Sequence, residues 1–147
     1  MRSLFDQGAY ESISQRLDRL SATTNPQWGK MSSAQMLAHC RLSLQVPLGE
    51  LKPPIGFMTL LGKMMKGRVL GPKPFGKNSP TAPAFKVTDQ KEFVAEKEQF
   101  IVKLTALTKG PSSVKHDIHP FLGKMQTEEW GTLHAKHIDH HFSQFGI

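Results

Sequence analysis

A single cysteine, Cys40, leaves this chain without any internal disulfide, so its fold rests on packing or on a bound ion, and nothing marks an oxidising compartment. Long apolar runs are also missing. The richest, IGFMTLLGKMM from Ile55 to Met65, is too short and too charged to span a bilayer, and the opening MRSLFDQGAYES lacks the basic-then-apolar layout of a signal peptide. A cytoplasmic protein with no transmembrane segment is expected. Period-two alternation long enough to build a sheet is absent, as is any internal repeat. Acidic residues are scarce: 12 against 19 Lys and Arg, for a net charge of +7.

That excess is local. Between Gln45 and Thr88 stand seven bases and one acid, Glu50, while the rest of the chain is nearly neutral. The same segment holds seven of the ten prolines and many of the glycines, so it reads as a long basic crossover over about residues 45–88 within one domain of 147 residues. Inside it, Ile55 to Arg68 can form a short amphipathic helix, and GPKPFGKNSPTAP is extended or turned.

Four longer helices flank the crossover. Ala9, Ile13, Leu17 and Leu20 form one stripe of the first. Ser32 and Gln35 have capping-box spacing before the second, which runs through Met36, His39, Cys40 and Leu44. Asp89 with Glu92 opens the third, whose buried stripe is Phe93, Phe100, Leu104 and Leu107. Thr127 caps the fourth, from about Glu128 to Gln144. The expected class is all-α, a helical bundle with one long connection between the second and third bundle helices.

The last helix carries the chemistry. In LHAKHIDHHFSQFGI, four of the chain's seven histidines fall within eight residues. At about 100° per residue, His134, His137 and His141 share the apolar sector with Trp130, Leu133, Ile138, Phe142 and Phe145. His140 lies at its edge, and Asp139 faces away. His137 and His141, four apart, can converge on one ion; His134 lies roughly 10.5 Å along the axis from His141, too far to share it. A third ligand must come from another helix, where His39 is the only histidine. Such a pair also occurs as ordinary core histidines, which then need hydrogen-bond partners. Few carboxylates fall on buried faces, which tips the balance toward a metal.

The blocks PQWGKMSSAQMLAHC and HPFLGKMQTEEWGTLHAKHIDHHFSQFGI resemble the DinB-like superfamily, in an uncharacterised bacterial branch. The resemblance implies a four-helix bundle that holds a divalent ion through His39, His137 and His141. Zinc or nickel is expected, with iron or manganese as further options, because imidazole ligands discriminate poorly among them. It also implies a metal-dependent thiol S-transferase or a hydrolase, with a low-molecular-weight thiol as cosubstrate. His134, His140 and Gln144 are candidates for acid/base or ligand-orienting roles, with Gln144 better placed than Asp139 to orient an imidazole. Lys63, Lys66, Arg68 and His119 are candidates to bind a small, anionic substrate. Apolar residues such as Phe57, Met64 and Met65 call for cover, which a homodimer would give. A reading from another class makes the crossover a non-enzymatic surface for nucleic acid or anionic lipid. The sparse aromatics between its bases argue against a single-strand binder.

Overall fold

The structure, a computed structural model, describes residues 2–147. Among them it is mostly helical: α1 (Ala9–Leu17), α2 (Ser33–Gln45), α3 (Met58–Leu70), α4 (Phe93–Leu107) and α5 (Thr127–Gln144), with two short 3₁₀ turns and one two-stranded sheet. No helix of the described residues is long and apolar enough to cross a membrane.

The capping box at Ser32 forms as its spacing predicts. Gln35 N–H donates to Ser32 Oγ at 3.2 Å, and Ser32 N–H donates back to Gln35 Oε1 at 2.9 Å. Two other caps are corrected. α4 starts at Phe93, where the Glu92 carboxylate accepts from the N–H groups of Val94 and Ala95. Asp89 is diverted: its carboxylate pairs with Lys91 and its carbonyl accepts from Gln35. At α5 the cap is Gln126, not Thr127, and Glu129 reaches back to accept from Gln126 N–H at 2.7 Å.

The main core joins α1, α2, α4 and α5 through Ile13, Leu17, Met36, Leu37, Phe100, Leu104, Ile138 and Phe142, all at or near full burial. Arg41 of α2 adds an ion pair to the buried Glu96 of α4, with nitrogen to oxygen distances of 2.9 and 3.4 Å. A second cluster of Val46, Phe85, Leu122, Met125, Trp130 and Leu133 packs the crossover against α5. Lys136 of α5 pins the crossover further, donating to the carbonyls of Val69 and Gly71.

The crossover helix differs from its expected amphipathic form. α3 buries only Thr59 and Gly62, while Phe57, Leu60 and Met64 stay mostly exposed. It docks by backbone proximity: a Cβ on Gly62 would lie 2.0 Å from the Phe121 carbonyl oxygen, and Thr59 donates to the Pro120 carbonyl. That loop holds the short antiparallel pair, with Ile118 opposite Lys124 and His119 opposite Gly123. Two-residue strands are too short to leave any alternation in a sequence.

Candidate metal centre

α2 brings His39, and α5 brings His137 and His141, so that one ligand nitrogen from each ring lies within 4.8 Å of the others. The ring centroids are 4.7 to 4.9 Å apart. Each Nδ1 is engaged elsewhere. His39 Nδ1 lies 2.8 Å from the Phe85 carbonyl oxygen, and His141 Nδ1 lies 2.9 Å from Gln144 Oε1. His137 Nδ1 lies 3.2 Å from Ser43 Oγ, whose own hydrogen goes to the Cys40 carbonyl at 2.8 Å.

These partners set the tautomers. A carbonyl oxygen can only accept, and Ser43 has already spent its donor, so all three Nδ1 atoms carry the proton and all three Nε2 atoms are bare. His39 Nε2 and His137 Nε2 face one another at 2.9 Å. Two lone pairs at that separation repel unless a cation lies between them. A proton is a poor candidate for that cation: burial pushes the His39 pKa down and the His137 pKa well below its usual 6.5, with neighbouring imidazoles adding to the effect. His141 is lowered to about 3, by burial and then by His39. Neutral imidazole is the form that binds metals.

The Gln144 amide is fixed in turn, since its Nε2 donates to the Trp28 carbonyl at 2.6 Å and so turns Oε1 toward His141. Gln27 N–H donates to the Gln144 carbonyl at 2.7 Å. Gly29, at φ +84°, leaves room for this: a Cβ there would fall 2.4 Å from Gln144 Nε2. The PQWGK segment and the C-terminal FSQFG segment therefore meet at one glutamine that orients one histidine.

The other candidates take distinct places. His140, half-buried and lowered in pKa by that burial, sits between Trp28, Phe75 and His141. His134 stacks on Trp130, its centroid 6.2 Å from that of His137. Asp139 faces outward and pairs with Arg16 at 2.7 Å. Cys40 is fully buried, and that burial raises its thiol pKa, which removes it as a nucleophile.

Two cavities reach the histidines. One, of about 630 Å³, is walled by Trp28, Lys30, Gln35, Lys86, His140 and His141 among others. The second, of about 330 Å³, is lined by His119, His134 and His137 together with apolar side chains. Lys63, Lys66 and Arg68 line neither. Lys66 instead binds Glu129 and the Lys124 carbonyl. Sequence reasoning missed Ser43, although it lies four residues after His39 on the same helical face, and it missed Phe85, whose contribution is a backbone carbonyl with no side-chain signature.

No curated protein and no solved structure matches the chain. Residues 4–146 match the family described as Protein of unknown function (DUF1569), and over that span, nearly its whole length, the chain belongs to it.

Proposed function

We propose that this chain is a DinB-like four-helix bundle, built from α1, α2, α4 and α5, that binds one divalent metal through His39, His137 and His141 and uses it to activate a thiol or a water. The observation that carries this reading is the set of three bare Nε2 atoms, each made a lone-pair donor by an acceptor on the far side of its ring. Three neutral nitrogen donors suit zinc or nickel, and iron or manganese less well. When bound, the ion supplies Lewis acidity that makes a thiol or water nucleophilic near neutral pH, the basis of S-transfer or hydrolysis.

The chain's own residues do the rest. Phe85 O, Ser43 and Gln144 hold the three rings in orientation, so little reorganisation accompanies ligand exchange. Burial keeps the imidazoles neutral. Lys30 and Lys86, at the walls of the wider cavity, favour an anionic carrier of the reacting thiol.

The test is cobalt substitution of tag-free protein. One equivalent of cobalt should give a visible d–d spectrum of low coordination number, and cysteamine or a larger thiol should add a sulfur-to-metal charge-transfer band. A featureless spectrum at one equivalent of cobalt sinks the reading. A second expectation concerns Gln144. Gln144→Ala keeps all three ligands but frees the His141 ring, so zinc affinity measured against a chelating dye should fall about 10- to 100-fold, and Gln144→Glu should restore most of it. Unchanged affinity in Gln144→Ala would remove the orienting role.

A further inference from the structure

The metal centre does not account for His134. The residue is 3 % exposed, and neither ring nitrogen has a hydrogen-bond partner among the described residues. Native folds seldom leave both the donor and the acceptor of one buried ring idle. The ring is held flat against Trp130, with centroids 5.8 Å apart and planes 8° from parallel, so it is positioned rather than loose.

His134 lines the cavity of about 330 Å³. One wall of that cavity is the trio of His39, His137 and His141, and much of the rest is apolar: Met65, Val69, Phe75, Phe121 and Leu133. No Lys, Arg, Asp or Glu lines it. His119 adds a polar edge of known sense. Its Nδ1 accepts from the N–H groups of Phe121 and Leu122 at 3.1 and 3.0 Å, which leaves the proton on Nε2 as a donor. The volume lies at the small end of ligand pockets, and a space less than half this size suffices for benzene.

We propose that this cavity is a binding subsite for a compact, uncharged, mostly apolar molecule that sets one hydroxyl, carbonyl or amide group against His134, within one ring of His137. With no ion on the three histidines an anion has no counter-charge among the cavity's walls, whereas a pure hydrocarbon would leave His134 unpaired. The wider cavity shares His39, His140 and His141 with this one, so two molecules of different polarity can approach the histidines from two sides. As the substrate subsite of the metal centre the cavity rests on the reading above, and the experiment separates the two.

The probes are 4-ethylphenol, ethylbenzene and 4-ethylbenzoate, titrated by NMR into tag-free protein with and without one equivalent of zinc. Without zinc, wild-type protein should bind 4-ethylphenol at least about tenfold more tightly than ethylbenzene or 4-ethylbenzoate. His134→Phe keeps the stack on Trp130 and removes both nitrogens, and should erase the preference for the phenol. Leu133→Trp fills the space and should abolish binding of both neutral probes, which keeps the test open should His134→Phe fail to fold. Equal binding of the phenol by wild type and His134→Phe, no preference in the wild type, or no binding at all overturns the subsite. Zinc-dependent binding indifferent to His134 overturns it too, while leaving the metal centre intact. His134-dependent binding by a protein that takes up no metal supports the subsite and sinks the metal reading.

Discussion

His137→Ala abolishes metal binding, from about one divalent ion per chain to none, when tag-free protein is loaded with zinc, dialysed and measured by elemental mass spectrometry. His137 sits at the centre of the trio: its Nε2 is 2.9 Å from that of His39, and its ring shares the helix face of His141. Two remaining imidazoles on different helices cannot hold an ion against dialysis. The fold should survive, because the core side chains Ile138 and Phe142 are untouched and Ser43, which loses its contact with His137 Nδ1, keeps its hydrogen bond to the Cys40 carbonyl. Stability separates the two states. With zinc a thousandfold above its Kd, the wild type should gain about 4 kcal/mol over its metal-free form, whereas His137→Ala should gain nothing. His39→Ala should behave alike. A wild type that retains no ion, or a variant that retains as much as the wild type, would dispose of the centre.

The convergence of His39, His137 and His141 was legible in the sequence because helical geometry is rigid. Positions 137 and 141 must stack on one face, position 134 must miss, and only one other predicted helix carried a histidine. Its supporting shell was mostly not. The Gln144 side chain follows from a three-residue spacing to His141, but its counterweight, the Trp28 carbonyl, belongs to a loop whose path only the tertiary fold determines. The same holds for the Phe85 carbonyl, which reaches His39 from the proline-rich crossover. Backbone acceptors are common to every residue type, so composition cannot announce them. The placement of basic residues was hidden for a related reason. A lysine in sequence is only a charge; the fold spends Lys66 on Glu129 at the start of α5 and Lys136 on crossover carbonyls, and leaves Lys30 and Lys86 beside the histidines. The helical pattern of the core, by contrast, survived because apolar periodicity reports burial directly. α3 is the exception, since Leu60, Leu61 and Met64 stay exposed and only Val69 and Leu70 at its end pack against the core.

Acid should weaken the metal-free protein as the pH falls from about 6.5 toward 4. Burial lowers the pKa of His134 from 6.5 to about 3 and that of His119 to about 4. In the unfolded chain both rings take up protons as the pH falls through about 6.5, while in the folded chain they stay neutral until about 4 and below. The unfolded state therefore binds more protons across that window, and stability falls as the pH drops from about 6.5 toward 4, while above 6.5 it is flat. Each such histidine contributes a slope approaching about 1.4 kcal/mol per pH unit, so these two rings alone cost roughly 3 kcal/mol by pH 5.5, and His39, His137 and His141, lowered in the same direction, add to it. The depressed carboxylates, Asp6, Asp89 and Glu92, titrate at more acid pH. Urea unfolding of chelator-treated protein at pH 7.5, 6.5 and 5.5 measures the slope. His134→Phe supplies the control, because it removes one ring outside the ligand set and should flatten the profile by about one histidine's share. Stability unchanged between pH 7.5 and 5.5 would mean that these rings are open to water rather than buried. In zinc-loaded protein stability should be higher throughout this window with the same slope, since burial already lowers the pKa of His39, His137 and His141 in the folded chain and protons do not displace the ion there.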